Sequence, residues 1–499
     1  MSKQPELKPL DKYNQKLLDN VHPQDWNNPV PKEKYNLVVI GAGTAGLVSA
    51  AGAAGLGAKV ALIERRFMGG DCLNYGCVPS KSLIASAREN KIVLDKIGTS
   101  ESDAFSRAMQ KMREKRAKIS QHDSAARFSE KGVDVFLGEG RFNSEKSIEV
   151  DGQTLNFSKA VIATGGRPRK LDLPGLEDRD YFTNETIFSL TKKPQKMAVV
   201  GAGPIGCELA QTFHNLGVEV TIIQRSDQIL TKEDRDAADI IYNQLLEEGV
   251  RIELDSNLKR LEKENGKKTL IYEKEGQEKK CNADAILVGI GRVPNVESLN
   301  LENAGVEYDR RGIKVNDKLQ TSNQKIYAAG DCCMKYKFTH AADAAARIVI
   351  SNALFMGRQK LSDLVIPWCT YTEPEIAHVG LYPKQAEKAG IRIDTYQESF
   401  GNVDRAVADG QESGIIKVHT EKGSDKILGA TIVAGNAGDM ISEITTAMVG
   451  GLGLKTLSSV IHPYPTQAEA IKKIADAYNR TRLTPFVSKF LKWILKITG

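Results

Sequence analysis

Two patterns of apolar and polar positions follow each other along the first half of the chain. The apolar run Tyr35–Ile40 leads into glycines and then into an Ala- and Leu-rich stretch over 47–57, which predicts a strand, a turn and a helix. Another apolar strand is predicted over 59–63. The same strand, glycine turn and helix recur over 196–216, with a further strand over 219–223. This repetition predicts an α/β fold with two Rossmann-like dinucleotide-binding domains.

The first glycine turn reads GAGTAG over 41–46, the spacing GxGxxG. Gly41 permits the tight turn, Gly43 lets the backbone approach a pyrophosphate, and Gly46 lets helix and strand pack closely. The second strand ends at Glu64, close to where an acceptor for a ribose hydroxyl is expected. The order of strand, glycines, helix and acid therefore predicts a dinucleotide site.

The second glycine turn reads GAGPIG over 201–206 and is followed two residues later by Glu208. Two dinucleotide sites in one chain predict two cofactors. Three further glycine motifs lie between and after these units, namely ATGGRP over 163–168, GIGRVPN over 289–295 and AAGD over 328–331.

Two cysteines lie in the run GGDCLNYGCVPSK over 69–81, directly after the first unit. Their spacing does not put two thiols on one face of a regular helix, so a bond between Cys72 and Cys77 requires a bent turn, which the flanking glycines permit. A helix opening just after Cys77 would aim backbone N–H groups at its sulfur and favour the thiolate. Lys81 would share that face. The run predicts a redox-active disulfide facing a flavin, with an inert bridge or two reduced core cysteines as the alternatives.

In type and order these motifs resemble those of the flavin-dependent pyridine-nucleotide disulfide oxidoreductases, which include lipoamide dehydrogenase, glutathione reductase and mercuric reductase. The resemblance implies a homodimer whose active site is shared between subunits, with a C-terminal α+β dimerisation domain. The implied boundaries are an N-terminal arm over 1–34, an FAD-binding domain over 35–185 and 318–363, an NAD(P)-binding domain over 186–317, the dimerisation domain over 364–480, and an amphipathic helix over 481–499.

The resemblance also implies roles for single residues. Cys77 would be the thiolate against the flavin, and Cys72 the interchange thiol that meets the substrate. Lys81 and Glu208 would be a paired ammonium and carboxylate beside the flavin, although Glu208 could instead be a solvated helical residue. Asp331 would bind the ribityl chain of FAD. The remaining expected cofactor-binding residues are Gly41, Gly43, Gly46, Glu64, Gly165, Gly330, Gly201, Gly203, Gly206, Gln224, Arg225, Gly291 and Arg292.

The C-terminal motif departs from the best-known relatives. Lipoamide dehydrogenases and glutathione reductases carry a histidine before Pro-Thr, with a glutamate four residues after that proline, whereas here Tyr464 and Glu469 stand at those positions. A phenol with a reference pKa of about 10 transfers protons poorly near neutrality compared with imidazole at about 6.5. Mercuric reductases also carry tyrosine there, but their C-terminal vicinal cysteine pair is absent from the run 490–499. His462 could be the base instead if the segment shifted by two residues.

The motifs are compatible with two electron donors and with more than one electron acceptor. Gln224 and Arg225 end the strand where NADH-using relatives have an acid, which favours NADPH because Arg225 could bind a 2′-phosphate. NADH is the alternative donor, because a GxGxxG motif that ends in glycine, as here at Gly206, mildly favours it. Three acceptors are compatible with the motifs: a soft metal ion as in mercuric reductase, lipoamide or another disulfide, and a quinone at a membrane.

Composition narrows the function classes only slightly. A net charge of +6 on 499 residues is small, so no nucleic-acid partner is expected. Seven cysteines and an N-terminus without an apolar signal core suggest a cytoplasmic protein, and no resident metal site is expected. The basic stretch 101–130 predicts an amphipathic helix with a solvated face.

Both ends of the chain predict helical structure. The polar, Pro-rich arm over 1–34 is expected to form one or two short helical turns, with Trp26 holding it to the body. Near the C-terminus, Phe486, Phe490, Trp493 and Ile497 recur at spacings of three and four among lysines, which predicts an amphipathic helix. That helix could make peripheral membrane contact through 484–499 or pack on the protein itself.

Overall fold

Strands and helices alternate through the nucleotide-binding regions, as the repeated pattern predicts. The computed structural model describes residues 5–97, 103–264 and 266–499. Its strands are β1 Tyr35–Ile40, β2 Val60–Glu64, β3 Val133–Leu137, β4 Arg141–Ser144, β5 Ser147–Val150, β6 Gln153–Ile162, β7 Gly166–Pro168, β8 Lys196–Val200, β9 Glu219–Ile223, β10 Arg251–Glu253, β11 Asn257–Glu264, β12 Lys267–Lys274, β13 Gln277–Ala283, β14 Ala285–Val288, β15 Arg292–Pro294, β16 Tyr308–Asp309, β17 Gly312–Ile313, β18 Ile326–Ala328, β19 Trp368–Thr370, β20 Glu375–Gly380, β21 Ile393–Ser399, β22 Ile415–Glu421 and β23 Ile427–Ala434.

Short 3-10 turns and α-helices join these strands. The α-helices are α1 Lys12–Val21, α2 Thr44–Gly55, α3 Gly70–Asn74, α4 Cys77–Ile97, α5 Ala104–Ile119, α6 Ala125–Glu130, α7 Pro204–Asn215, α8 Arg235–Glu248, α9 Thr339–Leu354, α10 Pro383–Lys388, α11 Asp404–Ala408, α12 Ala437–Val449, α13 Leu454–Leu457, α14 Glu469–Thr481 and α15 Pro485–Thr498. Contacts divide the chain into two compact units, one of residues 1–225 and 255–364, the other of residues 226–254 and 365–499.

The first unit contains both glycine-motif repeats. Strands β3, β2, β1, β6 and β18 pair in parallel, and β1 is flanked by β2 and β6. Strands β9, β8 and β14 form a second parallel set. Buried strands read as continuous apolar runs because helices cover both faces of such sheets. Each set begins with a strand that ends in a GxGxxG turn, so the two turns lie at the carboxyl ends of parallel strands, where nucleotides bind.

The second unit is of the α+β type expected for the C-terminal part of the chain. Its five strands pair antiparallel in the order β19, β20, β23, β22 and β21. Helices α12 and α14 contribute apolar side chains to the same core as the inward faces of the strands. That core includes Phe400, Ile416, Ile432, Ile444 and Ile471.

The N-terminal arm contains a longer helix than the one or two short helical turns that its sequence predicts. Helix α1 has ten residues and is capped by Asp11, whose carboxylate accepts from two backbone N–H groups. Its buried side chains, including Leu17, Leu18 and Val21, recur at helical spacing, and this short apolar stripe is what the sequence prediction overlooked. Trp26 donates to the carbonyl of Val135 at 3.1 Å, which confirms the expected anchor.

The basic stretch forms two helices rather than the single one predicted, α5 and, after a 3-10 turn, α6, and Phe105, Met109 and Met112 of α5 are buried. Residues 101 and 102 of the predicted segment lie outside the described residues. The expectation of a solvated basic face was wrong for Arg116, which is only 2% exposed. Its guanidinium is buried because it donates to oxygen atoms on two other helices, a tertiary relationship that the periodicity of one helix does not reveal.

The tail helix α15 lies within the predicted range 481–499 and is capped by Thr484, whose hydroxyl accepts from the backbone N–H of Val487. None of its residues is buried, and Phe486, Trp493 and Leu495 are among its exposed side chains. Among the described residues, no helix combines the length and apolar character that crossing a membrane requires.

Candidate active site

The two motif cysteines lie on two short helices separated by a bend. Cys72 is in α3 and Cys77 is the first residue of α4, with Tyr75 and Gly76 between the helices. This confirms the predicted bent turn and places Cys77 at a helix N-terminus, where backbone N–H groups favour a thiolate. Gly70 opens α3 with φ +58°, and a Cβ there would lie 2.5 Å from the Cα of Gly43, so this contact requires glycine.

The pKa values of the two motif thiols are shifted in opposite directions. Both cysteines are free thiols in this structure. A hydrogen bond from the Cys72 thiol lowers the pKa of Cys77 to about 6, and the same bond raises the pKa of Cys72. Lys81 adds a favourable charge to Cys77 from one turn further along α4. The pair therefore carries its first negative charge on Cys77, the sulfur that the sequence analysis assigned to face the flavin.

Thr339 belongs to this site, although the sequence analysis did not name it. Its Oγ1 lies 3.6 Å from the Cys77 sulfur, and it contributes to lowering the pKa of that thiol. Thr339 is the first residue of α9, shortly after the AAGD motif. The sequence could have shown that a hydroxyl residue begins a helix after the AAGD motif. It could not have shown that this helix, α9, begins beside α4.

The predicted pair of Lys81 and Glu208 is present. The ammonium nitrogen lies 2.7 Å from Glu208 Oε2, which joins α4 to α7. Glu208 is 5% exposed, so the alternative interpretation as a solvated helical residue is wrong. A buried carboxylate held by an ammonium one turn from Cys77 places fixed charges of both signs near the thiolate.

The first glycine motif has the geometry of a nucleotide cradle. A Cβ on Gly41 would lie 2.4 Å from the carbonyl oxygen of Ala163, and a Cβ on Gly46 would lie 1.8 Å from that of Gly41. Glu64 accepts from the backbone N–H of Ala42 at 2.7 Å, which fixes its carboxylate beside the motif. A carboxylate has further lone pairs for ribose hydroxyls, so these residues fit the adenosine half of FAD.

Arg292 connects the later glycine motifs to the redox segment. It lies 3.2 Å from Asp331 and 3.3 Å from Asp71, the residue before Cys72, and donates to the carbonyl of Gly166 at 2.7 Å. Burial raises the pKa of Asp331, against the opposing charge of Arg292. Residues of three motifs far apart in sequence therefore share one partly buried ionic cluster.

The second glycine motif repeats the first in detail. A Cβ on Gly206 would lie 2.0 Å from the carbonyl oxygen of Gly201, as in the first motif. Gly203 is the N-cap of α7. Gln224 Oε1 accepts from the backbone N–H of Ala202 at 3.1 Å, and Arg225, the next residue, is exposed. As expected from the sequence, no acidic residue directly follows β9 here. The neutral amide of Gln224 lies beside the second glycine motif instead.

Tyr464 and Glu469 are not hydrogen-bonded to each other within the chain. The phenol is 71% exposed and donates to Asp404 Oδ2 at 2.9 Å, and this bond raises the pKa of Tyr464. Glu469 Oε1 lies 3.5 Å from the ammonium of Lys473. Asp404 was not predicted, since it lies 60 residues before the tyrosine in sequence.

His462, the alternative base, is held differently. Its side chain is 6% exposed, and its Nε2 lies 3.0 Å from Glu443 Oε1. The imidazole is therefore enclosed by the second unit, whereas the phenol of Tyr464 is presented outwards. Two adjacent cysteines, Cys332 and Cys333, follow Asp331. Cys332 is fully buried and its thiol donates to the carbonyl of Ile162 at 3.3 Å, while Cys333 is partly buried.

Known proteins with the same architecture identify the family. Residues 35–346 match the family described as pyridine nucleotide-disulphide oxidoreductase, and residues 366–475 match its dimerisation domain. A solved structure of the HOCl-induced flavoprotein disulfide reductase RclA from Escherichia coli, as a Cu(II) complex, superposes with a TM-score of 0.80 at 27% identity. That similarity covers 89% of this chain and 100% of the other.

The relatives of this chain include enzymes of two kinds. Mercuric reductase of Staphylococcus aureus is 37% identical over 453 residues, covering 89% of this chain and 83% of its own. Dihydrolipoyl dehydrogenase of Bacillus subtilis is 33% identical over 450 residues, covering 88% of this chain and 95% of its own. The family implies FAD and a pyridine nucleotide, and the dimerisation domain supports a homodimer. The chain belongs to the pyridine nucleotide-disulphide oxidoreductase family and is an FAD-dependent disulfide oxidoreductase.

Proposed function

We propose that this enzyme uses NADPH to reduce a soft metal ion, with Cys72 as the interchange thiol and Cys77 as the thiolate held against the flavin. Bound FAD would supply the two-electron relay between the nicotinamide and the thiol pair. In the last step Cys72 would lose its proton to solvent, and the two sulfurs would give two electrons to a divalent ion, which leaves as the element while the Cys72–Cys77 bond re-forms. The lowered pKa of Cys77 supports this assignment of roles.

The proposal that the electron acceptor is a metal ion rests on Tyr464, whose side chain is exposed. Reduction of a disulfide releases a thiolate that must be protonated, which a group with a pKa near neutrality does best. Tyr464 has its pKa raised above the ordinary phenol value by Asp404, so it is a weak acid for that step. Reduction of a metal ion to the element needs electrons but no proton on the product. The site therefore suits a metal ion better than lipoamide.

Gln224 supports NADPH over NADH. A carboxylate, Glu64, lies beside the first glycine motif, and a carboxylate at the same place beside the second glycine motif would repel the 2′-phosphate. Gln224 places a neutral amide there, and the exposed guanidinium of Arg225 follows it. Both residues favour the extra phosphate of NADPH.

Steady-state assays of the purified enzyme with Hg(II), lipoamide, glutathione disulfide and a soluble quinone would test the acceptor. We expect the highest kcat/KM with Hg(II), measured with excess thiol so that the free ion does not inactivate surface cysteines. Cys72→Ser should abolish that activity, whereas Cys281→Ser, outside the redox motif, should retain it. A kcat/KM with lipoamide equal to or above that with Hg(II) would overturn the proposed acceptor and favour the dihydrolipoyl dehydrogenase alternative.

A second proposal concerns the tail helix α15, whose side chains are all at least partly exposed. Three lysines, Lys489, Lys492 and Lys496, lie among its apolar residues, and no acidic residue follows Asp476. An apolar stripe with a basic flank suits the surface of an anionic membrane. We therefore place the enzyme at such a surface, where a quinone is the alternative acceptor.

A further inference from the structure

Arg116 is the largest of the fully enclosed side chains, yet it carries a charge. Its NH1 donates to the backbone carbonyl of Asn74 at 2.8 Å, and its NH2 donates to Asn14 Oδ1 at 2.7 Å. Burial lowers the pKa of Arg116 to about 10, so the guanidinium stays protonated at neutral pH. A buried cation is costly unless it is well hydrogen-bonded, which indicates that its position matters to the fold.

The first partner, Asn14, belongs to α1 and is itself fully buried. Its amide nitrogen donates to the carbonyl of Pro9 at 2.6 Å, so its oxygen is turned towards Arg116. The carboxylate of Asp11, which caps α1, lies 2.6 Å from Arg113, one turn before Arg116 on α5. The N-terminal helix is thus attached to α5 through two arginines.

The second partner, Asn74, ends α3 and lies between the two motif cysteines. Its side-chain amide donates to the carbonyls of Met68 and Gly70, at 3.0 and 2.8 Å. Met68 in turn donates from its backbone N–H to the carbonyl of Val21, at the end of α1, at 3.0 Å. The segment before Cys77 is therefore held both by Arg116 and by the end of α1.

We infer that Arg116, oriented by Asn14 of the N-terminal helix, is a positioning residue for the redox pair, because it fixes the Asn74 carbonyl from which the chain bends to Cys77. The inference rests on the proposed roles of Cys72 and Cys77. The hydrogen bond between the two thiols requires a fixed bend, and the carbonyl at the end of a helix has no intrahelical partner to fix it. Arg116 supplies that partner from outside the motif.

The test compares Arg116→Met with Arg113→Met in the FAD-loaded enzyme. Met fills a similar apolar volume, and Arg113→Met removes a contact between α1 and α5 without touching the redox segment. The readout is the rate of alkylation of Cys77 against pH after reduction, followed by mass spectrometry of its peptide. We expect Arg116→Met to raise the pH midpoint by about half a unit or more and to lower kcat about tenfold, with KM for NADPH unchanged. Arg113→Met should leave the pH midpoint in place.

Equal pH midpoints in Arg116→Met and Arg113→Met would overturn the inference and leave Arg116 a structural residue. If Arg116→Met does not fold, Asn14→Ala is measured instead, because it removes one acceptor while the guanidinium remains. A smaller upward shift in Asn14→Ala supports the inference, and an unchanged midpoint contradicts it. Failure of the proposed roles looks different: Cys72, and not Cys77, would then be the thiol alkylated at low pH in the wild-type enzyme.

Discussion

Gln224 holds in the second nucleotide unit the place that Glu64 holds in the first. Glu64 is the last residue of β2, and Gln224 directly follows β9. Each side chain accepts from the backbone N–H of the alanine after the first motif glycine, at 3.1 Å for Gln224 and 2.7 Å for Glu64. The two units therefore differ by one charge at the same position. Because a 2′-phosphate would be repelled by a carboxylate there, this difference bears directly on the choice of nucleotide.

Arg225→Glu should weaken NADPH much more than NADH. The substitution places a carboxylate beside the expected 2′-phosphate, and about 1.4 kcal/mol of lost attraction corresponds to a tenfold change. We expect KM for NADPH to rise about tenfold or more while KM for NADH changes little. Lys192→Glu makes the same charge change at another exposed position and is the control. An unaltered preference would remove Arg225 from the nucleotide site.

Cys77→Ser should abolish the long-wavelength charge-transfer absorbance that anaerobic two-electron reduction produces, and Cys72→Ser should retain it. The thiolate of Cys77 has a pKa lowered to about 6, so the band is fully present above that pH and is lost as the pH falls through it. A pH titration of the absorbance measures this midpoint. Identical spectra for the two single variants would contradict the assignment of roles.

Thr339→Val should move the midpoint of that titration upwards. The hydroxyl of Thr339 helps to lower the pKa of Cys77 by donating to its thiolate, and at 3.6 Å this bond contributes about 1 kcal/mol, or somewhat less than one pH unit. Thr339→Ser keeps a hydroxyl and is the matched control, with a midpoint close to that of the wild type. If Thr339→Val and Thr339→Ser titrate alike, the hydroxyl does not stabilise the thiolate.

The parts of the site that were predictable are those encoded within motifs. The order of strand, glycines and acid located Glu64, and the resemblance to the family implied the ion pair of Lys81 and Glu208. Thr339 and Asp404 were missed because each meets its partner only through tertiary packing, 262 and 60 residues away in sequence. These contacts depend on which helices and loops pack together in the fold. The local periodicity of the sequence does not contain that information.

The extent of α1 and the burial of Arg116 were missed for a related reason. A pattern of charged residues on one helix predicts a solvated face, but whether one of them is enclosed depends on what packs against it. Here the N-terminal helix covers α5, and Asn14 supplies an oxygen to the guanidinium. The sequence pattern of the arm and that of the basic stretch each describe one segment, so the contact between the two segments could not be predicted from either pattern.

Tyr464→His should raise activity with lipoamide or another small disulfide. An imidazole protonates a leaving thiolate near pH 7 far better than a phenol whose pKa is raised by Asp404, and general acid catalysis contributes about 100-fold or more where the geometry is suitable. Tyr464→Phe, which has no titratable group, should gain nothing in the same assays. No gain in Tyr464→His with intact FAD content and dimerisation would show that the missing histidine does not limit disulfide chemistry.

The intact enzyme should co-sediment with vesicles of anionic lipid through α15. Each lysine near such a surface contributes about 1 kcal/mol, and the exposed side chains of Phe486, Trp493 and Leu495 can enter the headgroup region. Because charge attraction is screened over about 8 Å at physiological ionic strength, high salt should weaken the binding. Deletion of residues 484–499 should abolish sedimentation while FAD content stays the same.

Two variants distinguish binding of α15 to a membrane from packing of α15 on the protein itself. Exchange of Lys489, Lys492 and Lys496 for Gln keeps the apolar stripe, so it should reduce binding to anionic vesicles without altering thermal stability. Trp493→Ser should reduce binding to the same vesicles by removing an apolar contact. If the deletion instead lowers the melting temperature or dissociates the dimer, then the apolar stripe is covered by protein, and the quinone alternative loses its main support.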